Sequence, residues 1–442
     1  MIRRLLIANR GEIAVRIQRT CRALGIETVA VYSDADRDSR VVQAANRAVG
    51  IGAAPAAQSY LNGNALVAAA LFTDCDAVHP GYGFLSENAA FAAQCARKGL
   101  TFVGPSPEHI RLMGDKAAAR RIAREAGVPV IPGSDGALAS NDDARHIARA
   151  IGYPLLIKAA AGGGGKGMRI VEAPGELEAA LLAARAEALA AFGSADVYLE
   201  RYLADVRHVE VQVLGDGSDV IDLGERDCTI QRRHQKLIEE APSPALSAHQ
   251  REQLLASGAR LARHVGYVNA GTVEFVLDNR SGECFFIEMN TRLQVEHPVT
   301  EMTTGVDLVA QQLAVAAGEK LAPGGAASRG HAIECRINAE DPQRGFLPQP
   351  GTITGFALPV GESIRVDTHA AAGTTITPFY DSLVAKVVVH GDTRARAIAR
   401  MRGALDAFRI DGITTNLSLQ RSIMDDARFA SGAFGTRFLE AR

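Results

Sequence analysis

The chain has 442 residues, 47% of them hydrophobic, and a formal net charge of −2. This length exceeds one ordinary domain of roughly 100–200 residues, so we expect about two to four domains. The near-neutral charge excludes an overall field that would hold nucleic acid or an anionic membrane, and any anionic ligand must be bound locally.

The cysteines are dispersed and form no C-x-x-C pair, a pattern that indicates neither a zinc site nor a disulfide framework. We therefore expect reduced thiols in a cytoplasmic protein. The N-terminal apolar run ends at Asn9 and is much shorter than a signal-peptide core or a membrane span. We interpret it as a buried first strand.

The first part of the chain alternates strand and helix patterns. Residues 2–8 predict a strand, Ile13 to Leu24 have helical spacing, and residues 27–32 predict a second strand. Short strands are also predicted at 77–80, leading into a glycine-rich loop, and at 101–105. The pattern predicts an open parallel α/β domain over about 1–110, with ligands at the carboxyl ends of its strands.

After a predicted helix at 116–126, a proline- and glycine-containing stretch at 128–133 predicts a hinge. Residues 131–203 predict a small α+β unit that contains a strand at 154–158. Strands follow at 208–214, 220–222, 271–277 and 284–290. Residues 322–329 predict a linker, and 331–442 predict strands such as 383–390 before two closing helices.

A run of four glycines at 162–165 precedes Lys166, Gly167 and Met168, directly after a predicted strand. Successive glycines leave backbone N–H groups free to approach phosphate oxygens, and a lysine supplies countercharge. A Walker A loop would need Ser or Thr at position 167, so that interpretation fails. We interpret the segment as a hairpin that covers a nucleotide; the alternative is a flexible linker.

Basic charge in this chain is mostly arginine, and the few lysines include Lys116, Lys158, Lys166 and Lys236 in motif-like contexts. A lysine kept in an arginine-rich chain can mark a site that needs a compact point charge. Lys98 and Lys320 are expected to be ordinary surface lysines.

A cluster of acids and amides is predicted on two neighbouring strands. Glu274, Glu288 and Asn290 occupy alternating or facing positions and offer the hard oxygen ligands that magnesium needs beside phosphates. The alternative is a solvated sheet face. It is disfavoured because Phe275, Phe286 and Ile287 predict that the other face is buried.

Beyond Asn290 the chain places a cation, an amide and a carboxylate close together, at Arg292, Gln294 and Glu296. Such a set could bind a small anion and remove its proton. His297 is expected to have a structural role. Residues 224–236 form a charged run that we interpret as an interior loop rather than an RNA-binding patch, because it contains two acids and no aromatic residues.

These segments, in this order, resemble the biotin carboxylase family of ATP-grasp ligases over essentially the whole chain. The resemblance rests on an ordered set of motifs: IANRGEIAVRI from Ile7, HPGYGFLSEN from His79, FVGP from Phe102, MGDK from Met113, IGYPLLIKAAAGGGGKGMRIV from Ile151, RHVEVQVLGD from Arg207, GERDCTIQRRHQKLIEEAP from Gly224, FIEMNTRLQVEHPVTE from Phe286, HAIECRINAEDP from His331, FLPQPGTI from Phe346 and PFYDSLVAKV from Pro378.

The resemblance implies an α/β protein with an ATP-grasp fold, an N-terminal open parallel α/β (Rossmann-like) domain and a C-terminal α+β domain. The implied bounds are 1–114 for the N-terminal domain, 115–330 for the ATP-grasp domain with a mobile lid at about 131–203, and 331–442 for the C-terminal domain.

The resemblance also implies the residues of the site. The implied ATP-binding residues are Lys116, Lys158, Gly162, Gly163, Gly164, Gly165, Lys166, Gly167, Met168, Glu200, Arg201, Leu203, His208, Gln231, His234, Glu274, Ile287 and Glu288. The implied metal ligands are Glu274, Glu288 and Asn290, and the implied bicarbonate site contains Lys236, Arg292, Gln294, Val295 and Glu296. Tyr82, Gly83, Arg292 and Arg336 are implied for biotin. Glu296, Arg292, Lys236 and Arg336 are the implied catalytic set, with Glu296 as general base and Arg336 facing the ureido oxygen of biotin.

The implied activity is a ligase reaction in which ATP and bicarbonate, with two Mg²⁺ or Mn²⁺ ions, give carboxyphosphate and then carboxybiotin. We expect it to be the first half-reaction of a cytoplasmic acetyl-CoA carboxylase, on the route to malonyl-CoA and fatty acids. The alternative is the biotin carboxylase of another acyl-CoA, pyruvate or urea carboxylase. Expected partners are a biotin carboxyl carrier protein, carboxyltransferase subunits and a second copy of the chain, with no nucleic acid or membrane.

A separate carrier is expected because no lysine follows a methionine, as a biotin-accepting Met-Lys-Met hairpin would require, and because the chain ends at Arg442.

Two stretches depart from the family pattern: residues 45–48 lack a usual Asp-Glu pair, and Gln349 stands where serine is common. Three rival hypotheses are another ATP-grasp enzyme that makes an acyl phosphate, a non-catalytic nucleotide-binding subunit and a nicotinamide dehydrogenase. The last is disfavoured because Gly11 stands alone where G-x-G-x-x-G is needed.

Overall fold

The protein is described from a computed structural model, which describes residues 2–160, 168–232, 235–322, 324 and 326–440. The predicted glycine loop at 162–167 and His234 lie outside the described residues. Within the described residues, no helix combines the length and the apolar character that crossing a bilayer requires.

The N-terminal unit is a parallel sheet with helices. Its elements are β1 (Arg4–Ile7), α1 (Gly11–Ala23), β2 (Glu27–Ser33), α2 (Arg40–Ala44), β3 (Arg47–Gly52), α3 (Gly63–Phe72), β4 (Ala77–His79), α4 (Ala89–Arg97), β5 (Thr101–Phe102) and α5 (Pro107–Gly114). The strands pair in the order β3-β2-β1-β4-β5. The central β1 is apolar over Leu5–Ile7, which are 0% exposed, because both of its faces are covered. The predicted parallel domain is confirmed.

The ends of β1 and β4 meet at the same edge of this sheet and fix the loop at 81–83. Asn9 follows β1, and its Nδ2 donates to Pro80 O and to Tyr82 O, each at 2.7 Å. Gly81 has φ +62°, and a Cβ there would lie 2.9 Å from Asn9 Nδ2. Only glycine fits this turn without strain.

After α6 (Lys116–Glu125), whose apolar residues pack with those of the large sheet described below, a second unit contains α7 (Asn141–Ile151), β6 (Leu155–Ala159), β7 (Arg169–Val171), α8 (Leu177–Phe192) and β8 (Val197–Arg201). The antiparallel sheet β7-β6-β8 packs on α7 and α8 around an apolar core of its own, which includes Leu155, Ile157 and Leu199. This agrees with the predicted α+β unit.

The remaining elements up to residue 320 are β9 (Val206–Asp216), β10 (Val220–Arg232), β11 (Gln235–Ala241), α9 (Ala248–His264), β12 (Val268–Asp278), β13 (Cys284–Asn290), α10 (His297–Thr304) and α11 (Leu308–Ala316). The last part contains β14 (His331–Asn338), β15 (Glu340–Asp341), β16 (Leu347–Pro348), β17 (Gly351–Thr352), β18 (Gly355–Ala357), β19 (Ile364–Thr368), β20 (Thr375–Ile376), β21 (Leu383–Gly391), α12 (Arg394–Ala407), β22 (Arg409–Asp411), α13 (Leu417–Met424) and α14 (Ala427–Ser431).

A large antiparallel sheet joins these two parts, in the order β13-β12-β9-β10-β11-β14-β21-β19. Strands β11 and β14 pair directly across it, so the sheet continues past residue 330. Apolar side chains of α9 pack on its first half, and those of α12 and α13 pack on its second half. The site residues of β9 to β14 therefore stand on one rigid surface.

Two sequence expectations are corrected here. The charged run at 224–236 is not a loop, because its described residues form the end of β10 and the start of β11, whose strands pair. The consecutive charged residues Glu225, Arg226 and Asp227 break the alternation that usually predicts a strand, and all three are buried. The chain also closes with three helices among its described residues, α12, α13 and α14, rather than two.

Candidate active site

A cleft of about 1540 Å³ collects most of the predicted site residues. Its lining comes from the loop at 82–84, from α6, from the small sheet and from the large sheet. The predicted residues that line it are Tyr82, Gly83, Lys116, Lys158, Met168, Glu200, His208, Gln231, Lys236, Glu274, Ile287, Glu288, Asn290, Arg292, Gln294, Val295, Glu296 and Arg336. Arg201 and Leu203 are described but do not belong to this lining.

The predicted metal ligands face each other across β12 and β13. Glu274 is the cross-strand partner of Glu288, and Thr272 is the partner of Asn290. The register shifts at this point, because Phe275 pairs with Phe286 while Glu274 pairs with Glu288. Ile287 is therefore an extra residue in a β-bulge, and it is 38% exposed toward the cleft. The expectation that Ile287 belongs to the buried face is wrong, because the bulge turns it outward.

Lys236 is the centre of the charged network. Its Nζ lies 2.6 Å from Glu210 Oε2, 2.7 Å from Glu296 Oε1 and 3.0 Å from Glu274 Oε1. Burial lowers the pKa of Lys236, but these carboxylates raise it well above its usual value. The ammonium is therefore charged, and it holds together residues from β9, β12 and the start of α10.

Glu296 precedes α10 and is buried between two cations. Its Oε1 faces Lys236, and its Oε2 accepts from Arg336 Nη2 at 2.9 Å. Burial and the charge of Glu210 raise the pKa of Glu296, but Lys236, Arg336 and Arg226 lower it more, so the net pKa lies below the usual value. The group is ionised at neutral pH and able to accept a proton.

Arg336 on β14 links Glu296 to a second buried acid. Its Nε donates to Glu239 Oε1 at 2.6 Å. Burial raises the pKa of Glu239 to about 7, against the lowering effect of Arg336. One end of the guanidinium is thus fixed by β11 and the other by the general-base candidate.

Arg292 is held at three points by groups around the cleft. Its Nε donates to Glu87 Oε2 at 2.8 Å, its Nη1 to Gln294 Oε1 at 2.8 Å and its Nη2 to Asn290 Oδ1 at 3.0 Å. Asn290 Nδ2 in turn donates to Glu274 Oε1 at 2.8 Å. The predicted anion-binding and metal-binding residues therefore form one connected group.

The predicted phosphate-end lysines meet acids in the same cleft. Lys116 Nζ lies 3.5 Å from Glu288 Oε2, and Lys158 Nζ contacts Glu200 Oε1. Glu200 also accepts from Arg120 Nη1 at 3.1 Å. These contacts place two lysines beside the carboxylates that are predicted to hold ATP and metal.

The other predicted residues occupy the edges of this group. His208 Nε2 lies 3.3 Å from Glu274 Oε2, and burial lowers but Glu274 raises the pKa of His208, with a net rise. Gln231 is the cross-strand partner of Lys236. Arg201 lies over the Phe285 ring at 5.1 Å.

His297, which is expected to have a structural role, and Cys228 are both buried. The His297 side chain is 0% exposed, its Nδ1 lies 2.7 Å from Gln294 O, and burial holds its pKa well below the usual value. Cys228 is buried, and burial raises the pKa of its thiol well above the usual value.

Sequence reasoning missed three buried residues beneath this site. Arg226 is 0% exposed; its Nε donates to Glu210 Oε1 at 2.6 Å, and its Nη1 donates to Gln212 Oε1 at 2.8 Å. Glu210 holds Lys236, and Glu239 holds Arg336. Glu210 could have been found, since it follows His208 at the two-residue spacing of one strand face, and Arg226 lies directly opposite Glu210 in the β9–β10 register.

The donor set fits a magnesium–phosphate complex. Glu274, Glu288 and Asn290 supply the hard oxygens that this ion prefers, and in the structure two of them are held by lysine ammonium groups. These carboxylates can exchange the ammonium groups for a metal cation once anions bind the two lysines.

Family models match the chain in three consecutive segments. Residues 1–110 match the biotin carboxylase N-terminal domain, 115–323 match the ATP-binding domain of the carbamoyl-phosphate synthase L chain, and 334–441 match the biotin carboxylase C-terminal domain.

Individual relatives match over the full length. The biotin carboxylase of Pseudomonas aeruginosa is 52% identical, over 100% of this chain and 99% of the relative. The biotin carboxylase domain dimer of the Hydrogenobacter thermophilus 2-oxoglutarate carboxylase, solved with MgADP, ADP and bicarbonate, is 48% identical with a TM-score of 0.92, over 100% of this chain and 98% of that one. A biotin carboxylase complex from Campylobacter jejuni is 46% identical with a TM-score of 0.94, over 100% and 99%.

Proposed function

The chain belongs to the biotin carboxylase family, a family of ATP-grasp ligases, and we propose that it carboxylates biotin on a separate carrier protein as the first half-reaction of acetyl-CoA carboxylase. The α/β architecture with its parallel N-terminal sheet is the fold that the sequence predicts. We propose three functional domains, at residues 1–114, 115–330 and 331–442, with the lid at about 131–203.

One observation supports the proposed type of reaction: the buried carboxylate of Glu296 lies between Lys236 Nζ at 2.7 Å and Arg336 Nη2 at 2.9 Å. A base flanked by two cations can bind a small oxyanion and take its proton in the same place. When the anion draws Lys236 and Arg336 toward itself, they lower the pKa of Glu296 less, and the carboxylate becomes a stronger base.

We assign ATP to the half of the cleft with Lys116, Lys158 and Glu200, together with the remaining ATP residues that the resemblance implies. Glu274, Glu288 and Asn290 would hold Mg²⁺ or Mn²⁺, which would neutralise charge on the phosphates. The related domain solved with MgADP and bicarbonate supports this assignment.

In the proposed reaction, Lys236, Arg292, Gln294 and Val295 orient bicarbonate, and Glu296 removes its proton. The bicarbonate oxygen attacks the γ-phosphorus of ATP, the bond to ADP breaks, and carboxyphosphate forms. Its C–O bond then breaks to give CO2 and phosphate. Phosphate takes the N1 proton of biotin, N1 bonds to CO2, and Arg336 stabilises the negative ureido oxygen.

The proposal also names the molecule that finally receives the carboxyl group. Acetyl-CoA is supported by the 52% identity to a stand-alone biotin carboxylase. The domain from 2-oxoglutarate carboxylase, at 48% identity, favours the alternative of another acceptor. We propose a dimer, as in that related structure, a carboxyltransferase partner, and a cytoplasmic location, which suits the free cysteines.

The test reconstitutes the second half-reaction. The chain is incubated with ATP, bicarbonate and a purified biotinylated carrier, and carboxyltransferases for acetyl-CoA, for pyruvate and for 2-oxoglutarate are added in separate reactions. We expect carrier-dependent malonyl-CoA to form at least about tenfold faster than the other products. Faster carboxylation of a keto acid would assign the chain to another carboxylase, and streptavidin labelling of the chain itself would overturn the separate carrier.

A further inference from the structure

A second buried lysine lies next to the site and has no role in the reaction described above. The Lys386 side chain on β21 is 0% exposed. Burying an ammonium group costs several kcal/mol unless it is paired and hydrogen-bonded, so its partners are informative.

Those partners come from two distant parts of the chain. Lys386 Nζ donates to Val295 O at 2.8 Å and lies 2.9 Å from Glu12 Oε1. The Tyr82 hydroxyl donates to the same Glu12 oxygen, and the Tyr82 ring centroid lies 6.0 Å from Lys386 Nζ. The ammonium thus joins the first turn of α1, the glycine loop after β4 and the segment before α10.

The contact with Val295 bears on the general base. The carbonyl of Val295 and the backbone nitrogen of Glu296 belong to one planar peptide unit. A hydrogen bond to that carbonyl therefore fixes the orientation of the peptide plane that leads into Glu296. Val295 also lines the cleft. Arg336 is the cross-strand neighbour of Lys386 on β14, so one pair of strands supports both sides of Glu296.

We propose that Lys386 is a positioning residue for bicarbonate: with Glu12 it fixes the Val295–Glu296 peptide and ties it to the Tyr82 loop at the biotin end of the cleft. A lysine suits this position, because its ammonium donates to a carbonyl and to a carboxylate at once from a narrow stem. The inference rests on the proposed function, since it assumes that Val295 and Glu296 receive bicarbonate.

The obvious variant, Lys386→Met, leaves Glu12 buried without its cation and could fail to fold. The double variant Glu12→Gln/Lys386→Met removes both charges, and its glutamine can still accept from Tyr82. Lys98→Met is the matched control, because it makes the same change at an exposed lysine. Thermal unfolding identifies the variants that are folded.

The measurement is the KM for bicarbonate and the KM for ATP in ATP cleavage, on the full chain. We expect the folded double variant to raise the KM for bicarbonate at least about tenfold and the KM for ATP less than about twofold, with Lys98→Met unchanged. A KM for bicarbonate within twofold of the parent, or an equal rise in both KM values, would overturn the positioning role. Absence of bicarbonate-dependent ATP cleavage in the parent would instead reject the proposed function.

Discussion

Arg336 Nη2 lies 2.9 Å from Glu296 Oε2, although the two residues are 40 positions apart and belong to different elements. Strand β14 supplies the guanidinium, and the segment before α10 supplies the carboxylate. The contact joins the residue assigned to biotin to the residue assigned to bicarbonate. Substitutions at either residue should therefore affect both halves of the reaction, but to different extents.

Replacing Arg336 by methionine should reduce biotin carboxylation by at least about 100-fold, because the developing negative charge on the ureido oxygen loses its charged donor. Bicarbonate-dependent ATP cleavage should fall less than about tenfold, since Lys236 still contacts Glu296 at 2.7 Å. Both rates are measured on the same preparation, with Arg97→Met, at the exposed last residue of α4, as the control. Equal losses in the two rates would contradict the assignment of Arg336 to biotin and would assign it to the bicarbonate site instead.

Replacing Glu288 by glutamine should raise the Mg²⁺ concentration for half-maximal ATP turnover at least about tenfold. The metal would keep Glu274 and Asn290 but lose one of its two carboxylate ligands. Glu319→Gln, at an exposed glutamate after α11 and outside the cleft lining, is the matched control. An unchanged Mg²⁺ requirement in Glu288→Gln would contradict the metal assignment.

The buried carboxyl group of Glu334 should make the stability of the folded protein depend on pH. Its side chain is 0% exposed, and neither carboxylate oxygen has a hydrogen-bond partner among the described residues. Burial raises its pKa well above the usual value, so folding keeps the carboxyl protonated and the unfolded chain does not. Its contribution to stability is fully present below the unfolded pKa and is lost as pH rises through the folded pKa.

Glu334→Gln, which cannot ionise, should therefore gain stability relative to the parent as the pH rises above about 4.3, the ordinary pKa of a glutamate in an unfolded chain. The measurement is the Tm of both proteins at each pH, with exposed Glu362→Gln as the control. A Tm difference that stays constant, or that moves in favour of the parent at high pH, would show that Glu334 is ionised in the folded protein.

The small sheet β7-β6-β8 should behave as a lid. It has an apolar core of its own, and the described residues tie it to α6 through Arg120 and Glu200. Bound ATP would attract the positive charge of Lys158 on β6, and the small sheet would close over the cleft. Hydrogen exchange at residues 155–159 should slow at least about threefold with nucleotide, while β1 stays unchanged. Equal exchange with and without nucleotide would reject a moving lid.

The sequence predicts the elements with strong periodicity and the residues that lie close together along the chain. Glu274, Glu288 and Asn290 could be placed near one another in advance because their strands are neighbours in the sequence, although the bulge at Ile287 sets their exact register. Arg292, Gln294 and Glu296 were found because two-residue spacing placed them together.

What the sequence could not predict depends on long-range register. The bulge that turns Ile287 into the cleft changes the face of one residue without changing the strand pattern. Residues 224–236, which include the end of β10 and the start of β11, were taken for a loop because charged and polar residues stand there at consecutive positions. Lys386 reaches Val295 across 91 positions, and only the pairing of β14 with β21 brings it there.

The central claim is that Glu296 acts as a base on bicarbonate in the carboxylation of biotin. The most direct test is the ATP-dependent transfer of label from radiolabelled bicarbonate to the biotin of a purified carrier protein, by the parent protein and by Glu296→Gln, which keeps the shape but not the basicity. We expect acid-labile labelled biotin from the parent and at least about 100-fold less from the variant. No labelled product from the parent, or equal labelling by both proteins, would contradict the account.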